Sequence, residues 1–235
     1  MEDRAAWLTS ELDRTARWGL WALPVWTVLL FLGTLTHQPD TRADFAGFAE
    51  YVTTTEFLIS HLVASIVGAA IGVLGLLALF TFLALRVRSR LAAAGLVLAV
   101  MGNVLITAIF GMAAFGQPAV GRLYLAGQTA DAVAIYNAIY GVPLTATAAA
   151  GSLVLVAGVI ALGVSVARSR VLPRWAGSGM AVGIVVFGVI GVILADILQS
   201  IGAVLLVAST LWLASAGQRT PTPRLGRVRR EPGDP

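Results

Sequence analysis

Cysteine and lysine are both missing from this chain of 235 residues. The first absence rules out disulfides, thiolate metal sites, thiol nucleophiles and Cys-ligated clusters, and it leaves the redox compartment undecided. The second rules out Schiff-base chemistry on a lysine, since all sixteen basic side chains are arginine. Charge of either sign is scarce at 12%, while hydrophobic residues reach 58% and the mean hydropathy is +0.87. Ordinary soluble domains carry about 25% charged residues. Histidine occurs only twice.

The apolar residues come in long blocks, several of them near or above the ~20 residues that cross a bilayer. The chain therefore reads as an all-α, polytopic transmembrane helix bundle. Spans are expected at 18–36, 57–85, 91–115, 142–166, 175–195 and 197–216. The last two need an argument, because residues 177–216 contain neither Pro nor Asn and are broken only by ADILQS. A single helix of that length would be ~60 Å long, about twice the hydrocarbon core. A hairpin at Asp196–Gln199 divides it into two ordinary spans.

Charge supports the same division. With six spans, fourteen arginines fall on one side and only Arg42 and Arg122 on the other. The positive-inside rule then places both termini in the cytoplasm of a bacterial cell. Five spans would send the arginines of the tail (Arg219, Arg224, Arg227, Arg229, Arg230) outside. The outer loops hold Asp40, Asp44, Glu50, Glu56, Asp131 and Asp196 against two arginines, a charge of −4. The basic side attracts anionic lipid headgroups. The RVRR tail has no fold to present it to nucleic acid, so no nucleic-acid partner is expected.

Three short amphipathic helices should flank the spans. Residues 1–17 repeat Ala5, Leu8, Leu12 and Ala16 at helical spacing and read as a helix on the cytoplasmic interface. DFAGFAEYV (44–52) reads as another, with Asp44 as its cap and Phe45, Phe48 and Val52 on one face. TADAVAIYNAIYG (129–141) is the third. Pro143 then opens the fourth span at a tolerated first-turn position. Residues 217–235 read as a disordered basic tail. The first span has no A-x-A site after it and is read as a retained helix rather than a signal peptide.

Small and weakly polar residues mark helix contact faces in a membrane. His61, Ser65, Gly68, Gly72 and Gly75 form one such seam on the second span, and Gly95, Ala99, Asn103, Thr107 and Gly111 form one on the third. GMAVG (179–183), Gly188 and Gly191 do the same on the fifth. These three helices are expected to pack together. The turns RVRSR (86–90) and VARSR (166–170) hint at a parallel repeat, although arginines at cytoplasmic turns are also what topology demands.

The seam turns His61 toward protein, because an imidazole in lipid is costly. His61, His37, Asn103 and Gln199 are the candidate ligand-binding residues. His61 with an outer-side acid, Glu56 or Asp196, is the candidate catalytic pair. His37, His61 and Glu50 are the candidate metal ligands, since imidazole suits Zn, Cu and Fe. Haem between the two histidines is a further option, although His37 sits about one turn shallower. No HExxH, His-x-x-x-His or Glu-x-x-His motif accompanies them. The bland alternative has His61 and Asn103 making interhelical hydrogen bonds, and Asp196 and Gln199 in a solvated turn.

TLTHQPD after the first span, EFLISHLVASIVGAAIGVLGLLAL in the second and RSRVLPRWAGSGMAV before the fifth together resemble a group of actinobacterial six-helix integral membrane proteins. Those share a His-Pro pair after the first helix, a Gly-His entering the second and a Leu-Pro-Arg-Trp before the fifth. Here Gln38 separates His37 from Pro39, and Ser60 replaces the glycine before His61. The resemblance implies the topology and the choice of His37 and His61; it supplies no reaction. Three classes follow. The first is a non-enzymatic module that binds a small ligand or lipid, or serves as an accessory subunit of a homo-oligomer or larger membrane complex. The second is a membrane enzyme acting on a lipid or isoprenoid, and the third is a transporter.

Overall fold

The computed structural model describes residues 2–35, 38–191 and 196–222. His37, the end of the expected fifth span and the tail from residue 223 lie outside them. The described chain is helical: α1 (Glu2–Gly19), α2 (Ala22–Gly33), α3 (Phe45–Val52), α4 (Thr55–Ile59), α5 (Gly68–Ala84), α6 (Arg90–Leu125), α7 (Thr129–Ile139), α8 (Val142–Ser169), α9 (Arg174–Val185) and α10 (Asp196–Arg219). Two segments are π-helical, Ser60–Val67 between α4 and α5, and Val186–Gly191 after α9. Six stretches are long and apolar enough to cross a membrane: Ala6–Gly33, Thr55–Ala84, Arg90–Leu125, Val142–Ser169, Arg174–Gly191 and Ile197–Arg219. This is a six-span, all-α membrane bundle.

Local chemistry starts and stops these helices. The Asp44 carboxylate accepts the Gly47 N–H at 2.8 Å and begins α3, as its sequence position suggests. Ser89 Oγ caps α6 by accepting Ala92 N–H at 3.1 Å. α6 ends in a Schellman motif, in which Gly127 N–H reaches the Tyr124 carbonyl and Gln128 N–H the Leu123 carbonyl. Gly127 carries the φ of +88° which that motif needs. Pro143 lies in the first turn of α8. One expectation fails here. Asp196 and Gln199, read as the hairpin, stand in the first turn of α10. Gly191 packs so tightly on the Gln199 backbone that the helix must already be in place at that level.

The spans form a ring in chain order, α2 to α5 to α6 to α8 to α9 to α10, closed by α10 against α2. Glycines set the close approaches. A methyl group on Gly102 or Gly158 would collide with the backbone of the facing helix, so α6 and α8 touch main chain to main chain. Gly163 and Gly177 do the same between α8 and α9, and Gly202 lies on Phe187. The seam of the second span packs on α2: Gly68 against Leu29, Gly72 against Trp26 and Gly75 against Leu23. The second, third and fifth spans therefore do not share one contact face. Each seam meets its ring neighbour, because close helix approach is pairwise, and the middle of the ring is filled by a core that includes Leu76, Leu79, Leu162, Met180 and Leu206.

The arginine-rich end is tied shut. Asp13 of α1, 2% exposed, accepts Arg17 Nε at 2.8 Å and Arg86 Nη2 at 2.6 Å. Arg86 lies 3.7 Å over the Phe82 ring and also donates to the Phe82 carbonyl. Arg17 donates to the carbonyls of Gly217 and Thr220, the orphan acceptors at the end of α10. Burial pulls the Arg86 guanidinium below its ordinary range, and Asp13 opposes that pull. On α1, Trp7, Leu8 and Leu12 stay exposed while Ala16 is buried.

Candidate functional site

At the opposite end the ring leaves space between its spans. Two adjoining clefts open there, of about 210 and about 300 Å³. The first is lined by Thr34, Gln38, Tyr51, Ser60 and His61 among others, and is the more polar. The second lies beside Trp26, Ala69, Asn103, Ser152 and Ile184, and is largely apolar. Leu30, Ser65, Phe110, Phe187 and Gln199 border both, so the two are chambers of one cavity. All six spans supply lining residues. Both π-helical segments also lie on it, through Ser60, His61 and Ser65 on one side and Phe187 and Gly188 on the other. A π-turn widens the helix and is commonly found at functional sites.

His61 sits on the polar chamber, as its seam position suggests. Its Nδ1 lies 3.0 Å from the Phe57 carbonyl. A carbonyl can only accept, so Nδ1 carries the proton in that bond, and Nε2 is the nitrogen left to accept a hydrogen bond or a proton. The bond at Nδ1 is the one side-chain hydrogen bond of His61 among the described residues. The ring stacks on Phe57, with centroids 4.0 Å apart and planes tilted by 33°. Phe57 is fully buried beneath Phe48, Val52 and Tyr51, so the imidazole is held by a packed aromatic floor.

Gln199 reaches the same cavity from α10 and borders both chambers. Asn103 lies deeper and is 3% exposed. Its Nδ2 donates to the Ala69 carbonyl at 3.1 Å, joining α6 to α5. It is thus an interhelical hydrogen-bonder and a lining residue together. Glu56 and Glu50 are exposed and border neither chamber. His37 and the Asp196 side chain lie outside the described residues. Among those described, no three His, Asp or Glu side chains converge as a metal site would need.

Sequence reasoning missed Gln38, Ser60, Ser152, Phe110 and Phe187. Ser65 and Gly188 were noted as contact residues and prove to be cavity walls. Ser60 adjoins His61 in sequence but stands outside its seam. Phe110 and Phe187 carry no signal that separates them from lipid-facing phenylalanines.

Around this end, α3 and α7 fold over the bundle with Phe45, Phe48, Tyr136 and Tyr140. Tyr136 and Tyr140 stack at 4.5 Å. Gln117 Nε2 donates to Tyr140 Oη at 2.7 Å, and burial pushes that phenol up to about 12. No protein-family model, no curated protein and no solved structure matches this chain.

Proposed function

We propose that this chain is a bacterial cytoplasmic-membrane protein, with both termini inside, that holds a small ligand with an apolar tail in the cavity between its spans. The observation that carries this reading is the pair of joined chambers, one polar and one apolar, walled by all six helices. Small-molecule sites are concave, mostly apolar and fitted with a few convergent polar groups, and they form between helices of bundles. His61, Gln199 and Asn103 are those polar groups. The arginines of the described turns at the end opposite the cavity, among them Arg17, Arg86, Arg88, Arg168, Arg170 and Arg219, support the orientation, which puts the polar chamber toward the outer leaflet. The role is binding, either as a free-standing module or as a subunit of a larger membrane complex.

One observation favours a second reading, an enzyme acting on a lipid or isoprenoid. His61 presents an unengaged Nε2 from a rigid aromatic floor, which is what a general base requires. An acid partner is not among the described lining residues, so binding is the better supported role.

Native mass spectrometry of protein extracted in mild detergent tests the reading. The expected spectrum shows mass beyond the 24.5 kDa polypeptide that is reduced in Ser152→Leu, which fills the apolar chamber. Adduct unchanged by Ser152→Leu and by a second filling variant, Ala148→Leu, would place the bound molecules elsewhere and refute the cavity as the site. Conversion of the released molecule on incubation, lost in His61→Ala, would move the assignment to the enzyme.

A further inference from the structure

The chemistry of the cavity wall narrows the ligand further, on the premise that the cavity binds one. No Asp, Glu or Arg is among the described residues that line either chamber. A charged head moved into such a site would lose its hydration with no countercharge among the described lining residues to replace it. The polar chamber is not inert, however. Gln38, Ser60 and Gln199 line it, and none of these side chains makes a hydrogen bond to another described residue. Thr34, by contrast, is already used: it accepts from Ser200 Oγ at 2.9 Å and donates to the Phe31 carbonyl at 2.7 Å.

The spare groups have a common character. Each amide offers both a donor and an acceptor, the Ser60 hydroxyl does the same, and His61 Nε2 offers an acceptor. The head that satisfies such a set is neutral, and both donates and accepts. A hydroxyl meets that description, with its proton given to His61 Nε2 and its oxygen taking an amide N–H. An ester or ketone accepts only and would leave the imidazole lone pair unmet. Size sets the second limit. Ligand pockets commonly run about 300–1,000 Å³, and the chambers of about 210 and 300 Å³ join into one cavity within that range. That suits one chain passing Phe110 and Phe187, which border both chambers.

We infer that the ligand is a neutral single-chain amphiphile with a hydroxyl head, of the long-chain alcohol, prenyl alcohol or alkylphenol class. The hydroxyl is held at His61, Gln199 and Gln38, and the tail lies beside Trp26 and Asn103.

Trp26 makes this testable, because it lines the apolar chamber. Three probes with bromine at the tail end quench tryptophan on contact: ω-bromododecan-1-ol, ω-bromododecanoate and 1-bromododecane. Each is titrated into the full chain in nanodiscs, and the Trp26 signal is taken as the difference between the native chain and Trp26→Phe. The expected result is saturable Trp26 quenching by the alcohol at an apparent Kd about tenfold or more below those of the acid and the alkane. His61→Phe and the milder His61→Gln should erase the preference for alcohol over alkane while saturable quenching persists. Equal affinity for alcohol and alkane, or preference for the carboxylate, would overturn the hydroxyl assignment and leave the cavity's binding role standing. Absence of saturable Trp26 quenching by all three probes, with native-like circular dichroism, would overturn both.

Discussion

The two ends of this bundle are built on opposite principles. At the arginine-rich end, Asp13, Arg17 and Arg86 pair their charges with one another and with the carbonyls that close α10, although Arg17 Nη2 and Arg86 Nε stay buried without a hydrogen-bond partner among the described residues. Phe82 fills the space beneath them. At the other end, His61 Nε2, Gln38, Ser60 and Gln199 have no such partners among the described residues, and two π-helical turns widen the ring around them. Polar groups satisfied inside the protein contribute to holding it together. Polar groups held in place but unsatisfied are available to something else. The contrast locates stability at one end and binding at the other.

The comparison can be broken most sharply at Asp13. Its loss leaves two buried guanidinium groups without a countercharge, and removing one member of a buried ion cluster costs about 3–5 kcal/mol. Asp13→Asn should therefore lower the thermal unfolding midpoint in detergent more than any cavity substitution does. His61→Ala, by comparison, removes one hydrogen bond to its own helix, worth about 1 kcal/mol, and the stack on Phe57, worth about 0.5–1.5 kcal/mol. If the two variants unfold at the same temperature, the division between the ends is wrong.

Next in size is the glycine contact between α6 and α8. Gly158 lies on the Ala99 backbone, so Gly158→Val forces the helices apart and should cost about 1–3 kcal/mol. Asn103→Ala comes after it. An interhelical hydrogen bond of this kind contributes about 0.6–2 kcal/mol, and the Ala69 carbonyl retains its place in its own helix. The order of unfolding midpoints across Asp13→Asn, Gly158→Val and Asn103→Ala checks this ranking.

Much of this architecture could be read from residues. Span number follows from apolar run length and from the side on which arginines fall, both imposed by the bilayer rather than by tertiary detail. Asp44 and Pro143 were legible because caps and first turns are local. The seam carrying His61 was legible because small residues at steps of four and three can face only one way. What the seams meet was not, since a glycine reports that something approaches closely without reporting what. The π-helical turns were hidden for a related reason: one extra residue per turn leaves the apolar run unbroken. Asp13 and Arg17 stand four residues apart on one helix face, but Arg86 joins them only through the packing of α1 on α5. The walls Phe110 and Phe187 look in sequence like any residue that faces lipid.

The smallest expected effect sharpens the comparison from the cavity end. Tyr140 is stacked on Tyr136 and holds the Gln117 amide, and burial raises its phenol to about 12. An exposed tyrosine ionises near 10. Because the folded value is the higher one, the stability that burial of the neutral phenol contributes is complete below about pH 10 and is lost as pH rises through about 12. A spectrophotometric titration of phenolate absorbance should thus show one tyrosine lagging the ordinary range, and Tyr140→Phe should remove that late step alone. Gln117→Leu should bring a distinct change, because it removes the amide N–H that favours the phenolate and keeps the burial that disfavours it, so the late step should move later. Were it to move earlier, the amide would be accepting from the phenol rather than donating to it, and the packing of α7 onto α6 would rest on a hydrogen bond of opposite sense.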